Sequence, residues 1–110
     1  MRGFTNLEAS NTQTMDLYKL IQKKDCSIVD VRTRAEYSGG HAEGSVNIPL
    51  QELQQRFEEF TTMKGPVVLC CASGGRSGQA TVWLMSKGIE CVNGGSWLDI
   101  NYVQSQVAAE

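Results

Sequence analysis

The segment Val67-Val68-Leu69-Cys70-Cys71-Ala72-Ser73-Gly74-Gly75-Arg76 constrains the chain more than any other. Its first half, entered through Gly65-Pro66, is a short unbroken apolar run, the pattern of a strand buried on both faces. Its second half cannot continue that strand, because the glycine pair and the small polar residues open a turn. From Ser77 a helix is expected, with Ala80, Trp83, Leu84 and Lys87 sharing a side and Gly88 closing it as a C-cap.

The rest of the chain repeats this alternation. Ser10 and Gln13 form a capping-box pattern ahead of Met15, Leu17, Leu20 and Ile21, and this helix is expected to end near Lys23-Lys24. Residues 27–31 (Ser-Ile-Val-Asp-Val) read as a buried strand. Residues 32–49 are polar, contain Gly39, Gly40, Gly44 and Pro49, and suggest an extended loop with room for one helical turn. A helix from about Gln51 to Phe60 would put Leu53, Phe57 and Phe60 on one face. Glu90 to Asn93 reads as a short strand, Gly94-Gly95 as a turn, and Ser96 as the cap of a last turn through Trp97 and Ile100. Residues 103–110 are expected to be a loosely held tail. Strands alternating with helices imply an open, mostly parallel α/β sheet covered on both faces, in one domain.

Composition narrows the function classes. The 110 residues are 41% hydrophobic and 20% charged, with a net charge of −2. Acids and bases are interleaved, so neither nucleic acid nor an anionic membrane is expected as the main partner. No stretch approaches the ~20 apolar residues of a membrane span, and the polar start from Met1 to Asn6 is unlike an export signal, so the cytoplasm is expected. The four cysteines are expected to be free, and their spacing matches no zinc site. Cys26, Cys70 and Cys91 lie in apolar stretches and are expected as core thiols, with a resolving role the alternative for Cys70.

In an open α/β sheet, ligands bind beyond the carboxyl ends of the strands. The strand 67–71 ends there at Cys71, and the two glycines that follow let successive backbone N–H groups turn toward one centre, an anion-binding nest. A helix start adds unpaired N–H groups and partial positive charge, and Arg76 adds a full one. A thiol in that place is acidified, so the segment is expected to stabilise a thiolate or persulfide and to attract an anion. The only histidine, His41, lies in another loop, and its spacing does not suggest a Cys-His pair.

Three separated motifs carry a family resemblance. Residues 30–37 (Asp-Val-Arg-Thr-Arg-Ala-Glu-Tyr) with Gly40-His41 through Pro49 resemble the N-terminal signature of rhodanese-homology domains. Val67 to Gly78 resembles their active-site loop, and Asn93-Gly94-Gly95-Ser96-Trp97 resembles their closing motif. The match covers residues 5–102, with 103–110 left as the tail. It implies a three-layer α/β fold with a five-stranded, mostly parallel sheet flanked by helices. It also implies a sulfurtransferase whose nucleophile is Cys71, moving sulfur from a donor such as thiosulfate or a persulfide to a thiol or cyanide. Family sulfurtransferases resemble this chain in having four residues between that cysteine and the loop's last position, Arg76. The related phosphatases and arsenate reductases have one more. These are the alternatives, together with a non-catalytic docking module.

The resulting expectations are specific. Ala72, Ser73, Gly74, Gly75, Arg76 and Ser77 form the substrate loop around Cys71, with Ser77 as the helix N-cap and Arg76 as an anion binder. Asp30 accepts hydrogen bonds from loop N–H groups, Arg32 pairs with Glu36 across a short turn, and Arg34 is a candidate for the pocket rim. His41 and Asn47 fasten the loop, while Trp97 and Trp83 are packing residues. Neither cofactor nor metal is expected. The expected partners are a small anionic sulfur donor and a thiol acceptor, a thiol protein or glutathione among them, and the chain is expected to be monomeric.

Overall fold

A computed structural model of the chain describes residues 17–110. The Ser10 cap and Met15 of the first expected helix, and the start of the expected domain at residue 5, lie outside the described residues. Helix α1 (17–23) leads into β1 (Ser27–Asp30), α2 (Arg34–Ser38) and β2 (Val46–Asn47). A 3-10 turn (Leu50–Glu52), α3 (Phe57–Thr61), β3 (Val67–Cys71), α4 (Gly75–Ser86), β4 (Cys91–Ser96) and α5 (Trp97–Ala108) follow.

All pairings are parallel, in the order β2-β1-β3-β4. This is the expected α/β sheet flanked by helices, with four strands among the described residues rather than five. β3 is buried on both faces, every residue being 0–1% exposed. Its side chains alternate: Val67, Leu69 and Cys71 pack with Ala80 and Leu84 of α4, while Val68 and Cys70 pack with Ile21 of α1 and Ile100 of α5.

Several expected boundaries move. The helix placed at 51–60 is interrupted: Leu50 N–H is committed to the Val31 carbonyl, and Arg56 leaves helical geometry to bond the Asn47 carbonyl and Glu52. Leu53 and Phe60 still reach the core and Phe57 still packs against it, so the apolar spacing was right and the continuous helix was not. The 32–49 loop contains the one expected helical turn, α2, and also β2, which is too short to leave a pattern. α4 begins at Gly75, because Gly74, at φ +103, makes the turn before Ser77 is reached.

The largest change is at the end of the chain. Gly94-Gly95 does not end β4, which continues to Ser96 through a bulge: Leu69 opposes Asn93, whereas Cys70 opposes Gly95. Ser96 caps α5 by accepting from Leu98 N–H at 3.1 Å. The helix then runs through the expected tail to Ala108, because Val103 and Val107 continue the apolar stripe of Ile100 against the second core cluster. No helix among the described residues is long and apolar enough to cross a membrane.

The bulge leaves no room for a side chain at Gly94. A Cβ there would lie 2.8 Å from both Ile100 Cδ1 and Val68 Cγ1, and 3.1 Å from the Leu69 carbonyl oxygen. Gly94→Ala is therefore expected to lose about 1–3 kcal/mol by overpacking. Urea unfolding should show a lower midpoint at unchanged slope.

Candidate active site

Cys71 ends β3, opposite Ser96 of β4, and only 1% of it is exposed. Beyond it the backbone turns back on the sulfur. Gly74 N–H donates to Cys71 Sγ at 3.0 Å, and Ser77 N–H does so at 3.5 Å from the first turn of α4. Ser77 Oγ lies 3.4 Å from the same sulfur. Ala72, Ser73 and Gly75 face solvent, and of the expected loop residues Gly74 and Ser77 place donors on the sulfur. Ser77 is not the N-cap, a place Gly74 occupies; it is fully buried and directed at the sulfur.

This geometry sets the protonation of two adjacent thiols apart. Burial raises the Cys71 pKa, but the Ser77 hydroxyl and the N–H groups of Ser77, Gly74 and Ser73 together outweigh it and bring the thiol down to about 7. Cys70 faces the other side of the sheet, where burial, reinforced by the Asp30 charge, pushes it up to about 12. Cys26, Cys70, Cys71 and Cys91 are all free thiols.

Two carboxylate–arginine pairs lie near Cys71. Arg32 does not pair with Glu36. Its guanidinium grips Asp30 with Nε at 2.9 Å and Nη2 at 2.7 Å, donates to the Gly40 carbonyl at 2.7 Å, and lies 4.8 Å from the centre of the Trp97 ring. Asp30 also accepts the Arg32 N–H at 3.0 Å. Glu36 instead takes Arg76, with oxygens 2.8 and 3.0 Å from its two terminal nitrogens. That pairing, with the Thr33 N–H, holds the Glu36 carboxyl down to about 2. The Arg76 charge is thus already engaged by a carboxylate, and the donors that reach Cys71 are N–H groups and one hydroxyl.

The other expected residues make their contacts away from Cys71. Arg34 pairs with Glu52 on the surface. His41 stacks on Tyr37 at 3.7 Å, with Nδ1 2.7 Å from the Tyr37 carbonyl oxygen. Asn47 donates to the Asp30 and Arg32 carbonyls, each at 2.9 Å, and fastens the loop. Trp83 packs edge-on against Phe57.

Asn93 was not expected at the site. Its Oδ1 lies 2.7 Å from Ser77 Oγ and 3.0 Å from Gly95 N, and its Nδ2 donates to the Gly74 carbonyl at 3.1 Å. Sequence held one clue: asparagine is uncommon in strands, and here it directly precedes a glycine pair.

Two outcomes follow from this arrangement. Iodoacetamide should alkylate Cys71 with a rate that rises through a midpoint near 7, while Cys70 stays unmodified; peptide mapping across a pH series would check both. Asp30→Ala should cost about 3–5 kcal/mol in urea unfolding, because it leaves the Arg32 charge buried without its partner.

Comparison with known proteins agrees with the fold. The family model of the rhodanese-like domain matches residues 14–98. The uncharacterised protein YqhL of Bacillus subtilis is 43% identical over 65 residues, 59% of this chain and 51% of its own length. Thiosulfate sulfurtransferase PspE of Escherichia coli is 36% identical over 74 residues, 66% of this chain and 71% of its own. The chain thus spans about half of the Bacillus relative and more of the Escherichia one. The crystal structure of a rhodanese-related protein from Thermoplasma volcanium is 30% identical, with a TM-score of 0.67 over 80% of this chain and 85% of that one. On the match across residues 14–98, this chain belongs to the rhodanese-like domain family.

Proposed function

We propose that this chain is a sulfurtransferase in which Cys71 carries a sulfane sulfur from a small anionic donor to a thiol or cyanide acceptor. The observation that carries this reading is the convergence of Gly74 N–H, Ser77 N–H and the Ser77 hydroxyl on one sulfur beyond the end of β3. Fixed donors of this kind stabilise negative charge without a neighbouring base, which makes the thiolate available near neutral pH. The relative named as a thiosulfate sulfurtransferase supports the same reading.

In the first half-reaction the Cys71 thiolate attacks the outer sulfur of thiosulfate. The donor's S–S bond breaks, its electron pair leaves with sulfite, and a new S–S bond makes Cys71 a persulfide anion. In the second half, an acceptor thiolate or cyanide attacks that outer sulfur. The Cys71 S–S bond breaks, its electron pair returns to Cys71, and a persulfide or thiocyanate departs. Charge and electrons balance in each half without a redox co-reactant. Four residues separate Cys71 from Arg76, the loop length in which the chain resembles the family's sulfurtransferases rather than its phosphatases and arsenate reductases, and this favours sulfur transfer. A reducing cytoplasm suits a protein with four free thiols.

The test is intact-mass spectrometry after incubation with thiosulfate or glutathione persulfide, on the wild type, Cys71→Ser and Cys70→Ser. A gain of one sulfur is expected in the wild type and in Cys70→Ser, reversed by cyanide and absent from Cys71→Ser. No gain from either donor would overturn the reading and shift weight to phosphate chemistry or docking.

A further inference from the structure

The Ser77 hydroxyl has one proton and two acceptors within reach. Asn93 Oδ1 is at 2.7 Å and Cys71 Sγ at 3.4 Å. It can serve only one of them at a time. The orientation of the Asn93 amide is fixed by its other partners: Nδ2 needs the Gly74 carbonyl, and Oδ1 needs the Gly95 N–H. Turning it over would set N–H against N–H and oxygen against oxygen. The hydroxyl therefore faces a carbonyl oxygen that cannot turn away.

Acceptor strength depends on the charge of the sulfur. A neutral thiol accepts hydrogen bonds weakly, so the shorter bond to Asn93 wins. An ionised sulfur is a charged acceptor, and bonds to charged acceptors are roughly twice as strong as neutral ones. When the hydroxyl swings to sulfur, Asn93 Oδ1 is not orphaned, because it keeps Gly95 N–H at 3.0 Å. The β4 bulge is what makes this possible, since the additional residue at Gly94 lets Gly95 N–H fold back onto the Asn93 side chain.

We infer that Asn93 is a positioning residue for Cys71: it holds the Ser77 proton while the sulfur is neutral and yields it when the sulfur becomes negative. In the sulfur-transfer reading, on which this rests, the negative sulfur is first the thiolate and then the outer atom of the persulfide. Asn93 thereby opposes ionisation of the resting thiol. It also keeps a hydroxyl donor loaded and aimed at the place where charge develops.

The test measures the thiolate directly, by the pH dependence of iodoacetamide alkylation of Cys71, in the wild type, Asn93→Ala, Ser77→Ala and the double variant. Asn93→Ala removes the competing acceptor, so the midpoint should fall below the wild-type value near 7, by about half a unit to one unit. Ser77→Ala should raise the midpoint, and adding Asn93→Ala to it should change nothing further. Asn93→Leu keeps side-chain bulk without an acceptor and should match Asn93→Ala. A rise in Asn93→Ala, no shift, or an equal shift in the Ser77→Ala background would overturn the inference, because Asn93 would then act only by clamping the Gly74 carbonyl. Alkylation needs no sulfur donor, so this result is independent of the mass measurement that tests sulfur transfer itself.

Discussion

Register in β3 decides which of two adjacent thiols becomes reactive. The strand is covered on both faces, so a slip of one residue would exchange the places of Cys70 and Cys71 and bury the wrong half of Val67-Val68-Leu69 against each layer. Two parallel neighbours pin it. β1 pairs with it from Ser27↔Val67 to Asp30↔Cys70, and β4 from Val67↔Cys91 to Cys71↔Ser96. The consequence is chemical. One sulfur sees buried apolar side chains and a carboxylate, the other sees the turned-in N–H groups at the start of α4.

The flanking charges divide along the same sheet. Asp30 and Arg32 are 0% and 5% exposed at the side chain, and that pair ties the end of β1 to Gly40 and to the Trp97 ring at the start of α5. A pair so deeply buried contributes little net stability, yet losing either partner strands the other. Glu36 and Arg76 are each 36% exposed and join α2 to α4 across the mouth of the site. Solvent screens that bond, so its main effect is to cancel the Arg76 charge. With both guanidinium groups engaged, stabilisation of the Cys71 thiolate falls to oriented dipoles, which act over one or two bond lengths and favour the sulfur they point at.

Much of this was legible in the residues themselves. The run 67–71 followed by a glycine turn pointed to both the buried strand and the N–H groups that turn onto Cys71, because strand burial and nest formation depend on local composition. The partners of Arg32 and Arg76 were not legible. Arg32 and Glu36 are four apart in sequence, yet α2 turns Glu36 toward a residue forty positions away, a contact set by packing rather than spacing. The two-residue β2 exists only because Val29 and Asp30 offer it a partner edge. The full length of α5 is hidden for another reason: the glycine pair before it resembles a turn, and a stripe of only Ile100, Val103 and Val107 so near the chain end is a short helical signal.

The proposed sulfur transfer asks two opposed things of one atom. In the first half-reaction Cys71 must be a good nucleophile, which favours a basic thiolate. In the second it must be a good leaving group, which favours an acidic one. A pKa near ambient pH serves both, and Cys71 is brought to about 7 by donors that oppose the effect of its own burial. A full positive charge beside the sulfur would lower the pKa further and blunt the nucleophile. N–H groups and a shared hydroxyl are weaker and adjustable, and in the Asn93–Ser77 pair the adjustment follows the charge on the sulfur. The same residues that shape the β4 bulge thus connect sheet geometry to the reactivity of a single thiol.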